Sequence, residues 1–291
     1  MVGSALSRSL IDDGHEVWSL SRAPSDHKRR VLHWNWSSGE IELPPEGADV
    51  VVHLAGENIA SGRWTEAKKQ RIRASRVEGT KLLVNALLEK GKLPKKFISA
   101  SAVGGYSGAE NESLVGWEPS SEDFLGTVVV DWEAAAIPLK EKAVSVSFAR
   151  FGIVLSKDGG ALAKMLPVFR AGLGGRLGNG QQMMSWISLR DGVRALRCLI
   201  DHESAAGPYN MVSPHPCSNA EFTKALGKAV GRPAFFRVPA FILRMFLGEM
   251  AEEVLLSSSK AKPGYILLSG FQFKDTEIGE TLARIINETE S

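Results

Sequence analysis

The chain has 291 residues, of which 44% are hydrophobic and 23% are charged, so it can bury a large core and is not a disordered protein. A net charge of +2 gives no general reason to bind nucleic acid. With only Cys198 and Cys217, the sequence excludes a disulfide framework and a cysteine metal site, and it fits a reducing compartment such as the cytoplasm or an organelle matrix. No membrane-spanning apolar segment and no targeting segment is visible.

The first predicted elements are a helix over residues 1–11 and a strand over residues 16–20, which ends on Ser21 and Arg22. In a dinucleotide-binding βαβ unit, a strand and a glycine-rich turn precede such a helix. That first strand is absent from this sequence. Gly3 would be the last glycine of its turn, placed for close packing where the helix begins.

A basic residue follows the second strand of this unit. In dinucleotide-binding folds, an acidic residue at this position selects a free ribose 2′-hydroxyl, whereas an arginine accommodates a 2′-phosphate. Arg22 therefore points to NADP. The alternative is an ordinary surface arginine in a loop, because Arg29 and Arg30 follow nearby.

The next predicted strand, over residues 50–54, is a nearly continuous apolar run that breaks on Ala55 and Gly56. Buried parallel strands have this pattern, and in open α/β sheets ligands bind just beyond the carboxyl ends of the strands. Two small residues at this point would let a flat ring or a phosphate approach the backbone closely. The alternative is a strand followed by an ordinary glycine turn.

Helices and strands then alternate as far as residue 155. The sequence predicts a helix over residues 64–89, a strand over 97–101, a helix over 123–139 and a strand over 144–155. This alternation predicts an α/β fold with a mostly parallel sheet that is wound by helices on both faces. The basic cluster over residues 68–76 is most simply a solvated helix face.

Beyond residue 155 the composition changes, and shorter elements are predicted. Asp191 and Asn219 are expected to cap helices at their N-termini. The tail from Val238 is predicted to be helical apart from a short strand over residues 271–273.

Motifs along nearly the whole chain, in the same order, resemble those of the atypical short-chain dehydrogenase/reductases of the epimerase family, which carry a C-terminal domain of unknown function. This family is similar to the extended enzymes that act on nucleotide sugars. The matching motifs are His53-Leu-Ala-Gly-Glu-Asn58, Ser75-Arg-Val-Glu-Gly-Thr80, Ile98-Ser-Ala-Ser-Ala-Val-Gly104, Asp131-Trp-Glu-Ala-Ala135, Lys157-Asp-Gly-Gly-Ala-Leu162, the region 172–186 and Asn219-Ala-Glu-Phe222.

The resemblance implies a doubly wound Rossmann domain over residues 1–155 that binds NADP and lacks its first strand and glycine-rich turn. A smaller α/β region over residues 156–291 would lie on the substrate side, with a helical tail and some segments returning to the Rossmann sheet. By position, the resemblance implies cofactor-binding roles for Gly3, Ser21, Arg22, Leu54, Ala55, Gly56, Arg71, Arg76 and Val154. Ser21 and Arg22 would hold the 2′-phosphate, and Val154 would lie near the nicotinamide. An acidic residue also occurs at the position of Arg71 in the family.

The proton-transfer pair of the larger superfamily is missing. There, a tyrosine whose pKa is lowered by a lysine four residues on gives or takes a proton, and a serine and an asparagine complete the site. The corresponding helix, over residues 125–133, has no Tyr-x-x-x-Lys. Ser101 stands where the catalytic serine is expected, Arg76 stands where the asparagine is expected, and Tyr106 is the nearest candidate proton donor. The alternative for Tyr106 is a loop tyrosine that packs beneath a lid.

The sequence thus predicts an NADP(H)-binding oxidoreductase of the epimerase family with a small, sugar-like substrate. The alternative is a non-catalytic NADP(H)-binding regulatory or scaffold protein, because the Tyr/Lys pair is lost. Nucleic-acid binding through residues 68–76, membrane association and a metal site are not expected, and the oligomeric state is left open. For the absent first strand, a reading frame that starts too late is favoured over a genuine truncation. As written, the chain is expected to expose strand edges and to bind its cofactor weakly.

Overall fold

A computed structural model describes residues 1–106 and 123–288, which form an α/β fold. The strands are β1 (Ser19–Ser21), β2 (Val31–Asn35), β3 (Glu40–Ile41), β4 (Val50–His53), β5 (Lys96–Ala102), β6 (Ser145–Phe151), β7 (Ile153–Leu155), β8 (Gly175–Leu177), β9 (Met183–Met184), β10 (Trp186–Ser188), β11 (Gly207–Met211), β12 (Cys217–Ser218) and β13 (Phe236–Val238). The α-helices are α1 (Val2–Asp12), α2 (Glu66–Glu89), α3 (Phe124–Ala134), α4 (Gly160–Arg170), α5 (Leu189–Asp201), α6 (Asn219–Ala229), α7 (Ala240–Leu247), α8 (Gly264–Leu268) and α9 (Ile278–Asn287). Short 3-10 turns cover His27–Arg29, Val103–Tyr106 and Ile137–Lys142, and a π-helical turn covers Ala251–Leu256.

The main sheet has four parallel strands in the order β11-β6-β5-β4. Because the strands are parallel, their carboxyl ends lie along one edge of the sheet. Helices cover both faces: Ile98 of β5 packs with α1 and α5 on one side, and its neighbour Phe97 packs with α2 on the other. This arrangement confirms the predicted doubly wound α/β fold.

A second sheet, of order β1-β2-β3, lies beside the β4 edge of the main sheet. Leu20 of β1 and Val51 of β4 pack against the same apolar cluster, which contains Phe97 and Leu83. Within the described residues, β1 and β4 are not paired with each other. The end of β1 and the end of β4 therefore belong to separate sheets that share one core.

One predicted helix and one predicted strand are each interrupted in the structure and continue as a separate element. The helix expected over residues 123–139 ends at Ala134 and gives way to a 3-10 turn, which contains Pro138 at its start. The strand expected over residues 144–155 breaks at Gly152, where a Cβ atom would lie only 2.5 Å from the carbonyl oxygen of Ser185. Beyond this close approach, β7 leaves the main sheet and pairs with β10.

Both predicted N-caps are wrong, Asp191 by three residues and Asn219 by one. Ser188 caps α5, because its side chain accepts a hydrogen bond from the backbone N–H of Asp191. Ser218 caps α6 in a capping box with Glu221, so Asn219 is already the first helical residue. Asn219 instead accepts a hydrogen bond at Oδ1 from the backbone N–H of Leu177 in β8.

The helical tail also differs from the prediction at one point. Residues 271–273 are not a strand; Phe271 and Phe273 instead pack edge to face, with ring centroids 4.8 Å apart, against the α1 and α5 side of the core. Aromatic residues at alternate positions suit a strand, but here tertiary packing decides their conformation. Across residues 1–106 and 123–288, no helix combines the length and the apolar character needed to cross a bilayer.

Candidate functional site

The carboxyl edge of the main sheet meets the beginning of α1. A Cβ atom on Gly3 would lie 3.8 Å from Cδ1 of Leu54, so the first turn of α1 begins against the residue that follows β4. Val2, the first helical residue, has no side-chain cap before it among the described residues. A helix N-terminus with uncapped amides attracts anions.

Gly56 is in close contact with a half-buried guanidinium. A Cβ atom at Gly56 would lie 3.2–3.4 Å from the guanidinium atoms of Arg76, so any larger residue would displace this side chain. Arg76 donates from Nη1 to the carbonyl of Ile72 at 3.1 Å, and it lies over the ring of Trp132 at 5.1 Å. Burial lowers the pKa of Arg76 to about 10, while the charge of Glu57 acts to raise it, so Arg76 stays protonated at neutral pH.

Glu57 lies at the centre of a group of cations. Lys68 donates from Nζ to Oε1 of Glu57 at 2.5 Å, and this hydrogen bond is the main cause that lowers the pKa of the Glu57 carboxyl. The charges of Arg71 and Arg22 lower the pKa of Glu57 further, against the effect of burial. We call Glu57 with Arg22, Lys68, Arg71 and Arg76 the Glu57 cluster. Four cations against one carboxylate leave a strongly positive site beside the end of β4.

Three members of the Glu57 cluster, Arg22, Arg71 and Arg76, have no carboxylate within 4.0 Å among the described residues. Of these, Arg22 and Arg71 are exposed. The hydroxyl of Ser21 accepts a hydrogen bond from the backbone N–H of Ala23 at 3.2 Å, which fixes the turn that carries Arg22. The structure thus places Arg22, with Ser21 next to it, and Arg71 near Glu57, the residue that follows Leu54, Ala55 and Gly56 after β4.

Ser101 lies farther along the same edge, at the end of β5, and its side chain is buried. It donates a hydrogen bond from Oγ to Oε1 of Glu133 at 2.6 Å. Glu133, from α3, is also bound at both oxygens by Arg150 of β6, each at 2.7 Å. The Ser101 hydroxyl hydrogen thus already has an acceptor inside the protein.

Val154 and Tyr106 are the remaining sequence-predicted site residues. Val154 is half-buried in β7, beside Gly160, and a Cβ atom on Gly160 would lie 3.6 Å from Cε of Met1. Val154 is thus close to the start of α1. Tyr106 ends the 3-10 turn after β5, but its side chain lies outside the described residues, so its role as a proton donor stays a prediction. Within the described residues, no group of His, Cys, Asp or Glu is arranged to hold a metal ion.

Sequence reasoning missed Lys68 and Glu57. The interpretation of residues 68–76 as a solvated helix face is wrong for Lys68, which is only 6% exposed, although Arg71 and Arg73 do face solvent. The burial of Lys68 could have been predicted from helical spacing. Lys68 precedes the fully buried Ile72 by four residues, so both lie on the same face of α2. No such spacing linked Lys68 to Glu57, which lies outside the helix.

Two family profiles match the chain. The NAD dependent epimerase/dehydratase family matches residues 1–212, and a domain of unknown function, DUF1731, matches residues 238–285. An epimerase family protein of Mycobacterium leprae is 41% identical over 285 residues, which are 97% of this chain and 92% of that protein. An epimerase family protein of Staphylococcus aureus is 34% identical over 291 residues, which are 99% of this chain and 96% of that protein.

Among solved structures, the crystal structure of human epimerase family protein SDR39U1, isoform 2, with NADPH is similar throughout. The TM-score is 0.88 at 33% sequence identity, and the match covers 99% of this chain and 97% of the human chain. A similarity of this extent includes the main sheet, its helices and the C-terminal region. The chain therefore belongs to the NAD dependent epimerase/dehydratase family.

Proposed function

We propose that the chain binds NADP(H) along the carboxyl edge of the main sheet and acts as an NADP-dependent oxidoreductase or epimerase on a small, sugar-like substrate. One observation carries this proposal: Arg22 and Arg71, two guanidiniums without a close carboxylate in the described residues, lie near Glu57 where β1 and β4 end. The human relative, whose structure was solved with NADPH, supports the same choice of cofactor.

The residues at this edge fit a phosphorylated dinucleotide. Arginine presents a planar fork of N–H donors that matches the oxygens of a phosphate group, so Arg22 and Arg71 would hold the 2′-phosphate, with Ser21 beside them. Leu54, Ala55 and Gly56 would line the path of the adenosine and pyrophosphate, where small residues allow close approach. Arg76 would add a further cation next to Gly56.

The residues near Val154 fit the nicotinamide, which is the reacting part of the cofactor. Val154, close to the start of α1, would lie near the nicotinamide, which gives or takes a hydride when it is bound. Tyr106, at the end of the turn after β5, would be the proton donor to the substrate. Residues 1–155 would form the cofactor-binding region, and residues 156–291 would form the substrate-side region with a helical tail and some segments that return to the Rossmann sheet, as the pairing of β11 with β6 supports.

A second candidate function is a non-catalytic NADP(H)-binding regulatory or scaffold protein. The specific observation in its favour is that Ser101, at the position of the catalytic serine, donates its hydroxyl to Glu133. Together with the absent Tyr-x-x-x-Lys pair, this contact leaves fewer groups available for proton transfer. This candidate predicts tight cofactor binding without turnover, and a partner protein that responds to NADPH.

Titration of the chain with NADPH and with NADH tests the proposed cofactor. Charge-assisted hydrogen bonds to a phosphate contribute about 1.5–3 kcal/mol, so the Kd for NADPH should be about 10- to 100-fold lower than the Kd for NADH. Arg22→Asp should abolish this preference, and Arg232→Asp, at an exposed arginine after α6, should retain it. Equal affinities in the unaltered chain, or an unchanged preference in Arg22→Asp, would refute the proposal.

Loss of NADPH absorbance across a panel of sugar nucleotides and small carbonyl compounds separates the two candidate functions. Oxidation of NADPH with any member of the panel establishes a catalyst. Tight NADPH binding with no turnover across the panel favours the regulatory or scaffold protein. Tyr106→Phe, which keeps the ring but removes the hydroxyl, should lower turnover without changing the Kd for NADPH.

A further inference from the structure

Lys68 is a buried cation in the first turn of α2, with a side chain that is 7% exposed. Its ammonium donates to Oε1 of Glu57 at 2.5 Å and to Oγ of Ser61 at 2.6 Å. Two physical effects oppose a cation at this place. Removal of the ammonium from water is costly, and the dipole of a helix disfavours positive charge near its N-terminus. A well-packed apolar side chain would often be equally stable, so stability alone does not explain a charge here.

Glu57, the partner of Lys68, faces the candidate cofactor site. It directly follows Gly56, and its backbone N–H donates to Oγ of Ser75 at 3.0 Å, which fixes the loop after β4 on α2. Its side chain is 34% exposed, and its second carboxylate oxygen has no hydrogen bond within the described residues. One oxygen thus binds Lys68, and the carboxylate remains partly exposed to solvent.

A carboxylate at this location would normally oppose NADP. In dinucleotide-binding folds, an acidic residue beside the adenosine ribose favours a free 2′-hydroxyl, and its charge repels a 2′-phosphate. Glu57 is near enough to Arg22 and Arg71 for their charges to lower its pKa. Without a counter-charge of its own, Glu57 would compete with a phosphate for these two guanidiniums.

We propose that Lys68 determines the cofactor preference of this site by neutralising Glu57, so that Arg22 and Arg71 remain available for a 2′-phosphate. The inference rests on the proposed function, because it presupposes that Arg22 binds NADP(H). Lys68 and Glu57 do not themselves bind the cofactor. They are positioning residues that set the net charge next to the phosphate-binding arginines.

Three variants test this inference: Lys68→Met, Glu57→Gln and the double variant. The measured quantity is the ratio of the Kd for NADH to the Kd for NADPH, because the two cofactors differ only in the 2′-phosphate. Lys68→Met exposes an unbalanced carboxylate and should lower the ratio about fivefold, whereas Glu57→Gln leaves an unbalanced ammonium and should raise it about fivefold. The double variant removes both charges and should return the ratio to within about twofold of its original value.

A purely structural role of the pair predicts a different pattern. Loss of packing or of loop geometry would weaken the binding of both cofactors in every variant, and the double variant would bind them no more tightly than Lys68→Met. Both shifts of the ratio should also diminish at high salt, because charges near the surface are screened. If Lys68→Met does not fold, as judged by circular dichroism, Glu57→Gln decides alone: an unchanged or lowered ratio in this variant overturns the inference.

The controls separate this inference from the proposed function. If the unaltered chain shows no preference for NADPH, or if Arg22→Asp retains the preference, then the proposed function fails and the inference fails with it. If Arg22→Asp removes the preference while all three variants at Lys68 and Glu57 keep the original ratio, only the inference is overturned. Opposite shifts of the ratio in the two single variants, cancelled in the double variant, support both.

Discussion

Ser101 donates its hydroxyl hydrogen bond to the carboxylate of Glu133, with Oγ 2.6 Å from Oε1. Arg150 lies opposite Ser101 in the parallel register of β5 and β6, and it binds both oxygens of the same carboxylate. All three side chains are buried. The guanidinium of Arg150 therefore balances the charge of Glu133, and the hydroxyl of Ser101 donates one more hydrogen bond to the carboxylate. Ser101 thus has a structural role that is independent of any substrate.

Loss of either partner of Glu133 should destabilise the protein, to different degrees. Arg150→Met leaves the Glu133 carboxylate buried without its counter-charge, which should lower the free energy of unfolding by about 3–5 kcal/mol. Ser101→Ala removes one hydrogen bond to a charged group and should cost about 1.5–3 kcal/mol. Urea denaturation measures both. The matched control is Ser99→Ala, whose hydroxyl donates to the neutral carbonyl of Ala100, and an equal loss in this control would contradict the special role of Glu133.

Gly56→Ala should weaken cofactor binding with little effect on folding. The added Cβ would lie 3.2–3.4 Å from the guanidinium of Arg76, which is the flexible end of a side chain and can move aside. Displacement of Arg76 should raise the Kd for NADPH about 10- to 100-fold, which corresponds to the loss of one charge-assisted contact of about 1.5–3 kcal/mol. Gly279→Ala, at a helical glycine with nothing within 4 Å of its added Cβ, serves as the control and should bind NADPH normally. Normal binding by both variants would exclude Arg76 from the cofactor site.

The elements of the main sheet could be predicted because their causes are local. The apolar run that ends on Ala55 became β4, one residue shorter than predicted, and the helix predicted over residues 64–89 became α2. The end of the strand before Gly152 could not be located from the sequence. Its cause is the backbone of Ser185, which is distant in sequence and approaches Gly152 only in the folded protein.

The candidate site was only partly predictable, for the same physical reason. The resemblance to the epimerase family marked Arg22 and Arg71, and the structure places both of them near Glu57. The contact between Glu57 and Lys68 joins a loop to a helix, and the contact between Glu133 and Arg150 joins α3 to β6. Charged pairs of this kind depend on how the elements pack, which spacing along the chain does not reveal.

The stability of the protein should fall in mild acid because of His53. Burial lowers the pKa of His53 from 6.5 to about 4, so the native state keeps this imidazole neutral while the unfolded chain binds a proton below pH 6.5. Stability is therefore lost as the pH falls from 6.5 towards 4, by about 3 kcal/mol in total. Free energies of unfolding in urea across this range should fall less steeply for His53→Gln than for the unaltered chain. Parallel curves for the two proteins would contradict the assignment.

Asp275 should be essential for fixing the C-terminal region to the rest of the fold. Its buried carboxylate accepts hydrogen bonds from Ser188, which caps α5, from Arg190 and from Arg284 of α9.

Burial acts to raise the pKa of Asp275, but these hydrogen bonds outweigh it and hold the pKa below the usual 3.8. The contribution to stability is thus complete above pH 3.8 and is lost as the pH falls through the lowered pKa. Asp275→Asn should reduce the free energy of unfolding at pH 7 by about 2–4 kcal/mol, because Arg190 loses its counter-charge and Arg284 keeps, among the described residues, only its ion pair with Glu288. The reduction should shrink in stronger acid. Asp201→Asn, at the exposed end of α5, should leave the free energy of unfolding in urea almost unchanged. Equal reductions in the two variants would show that Asp275 does not specifically fix the C-terminal region.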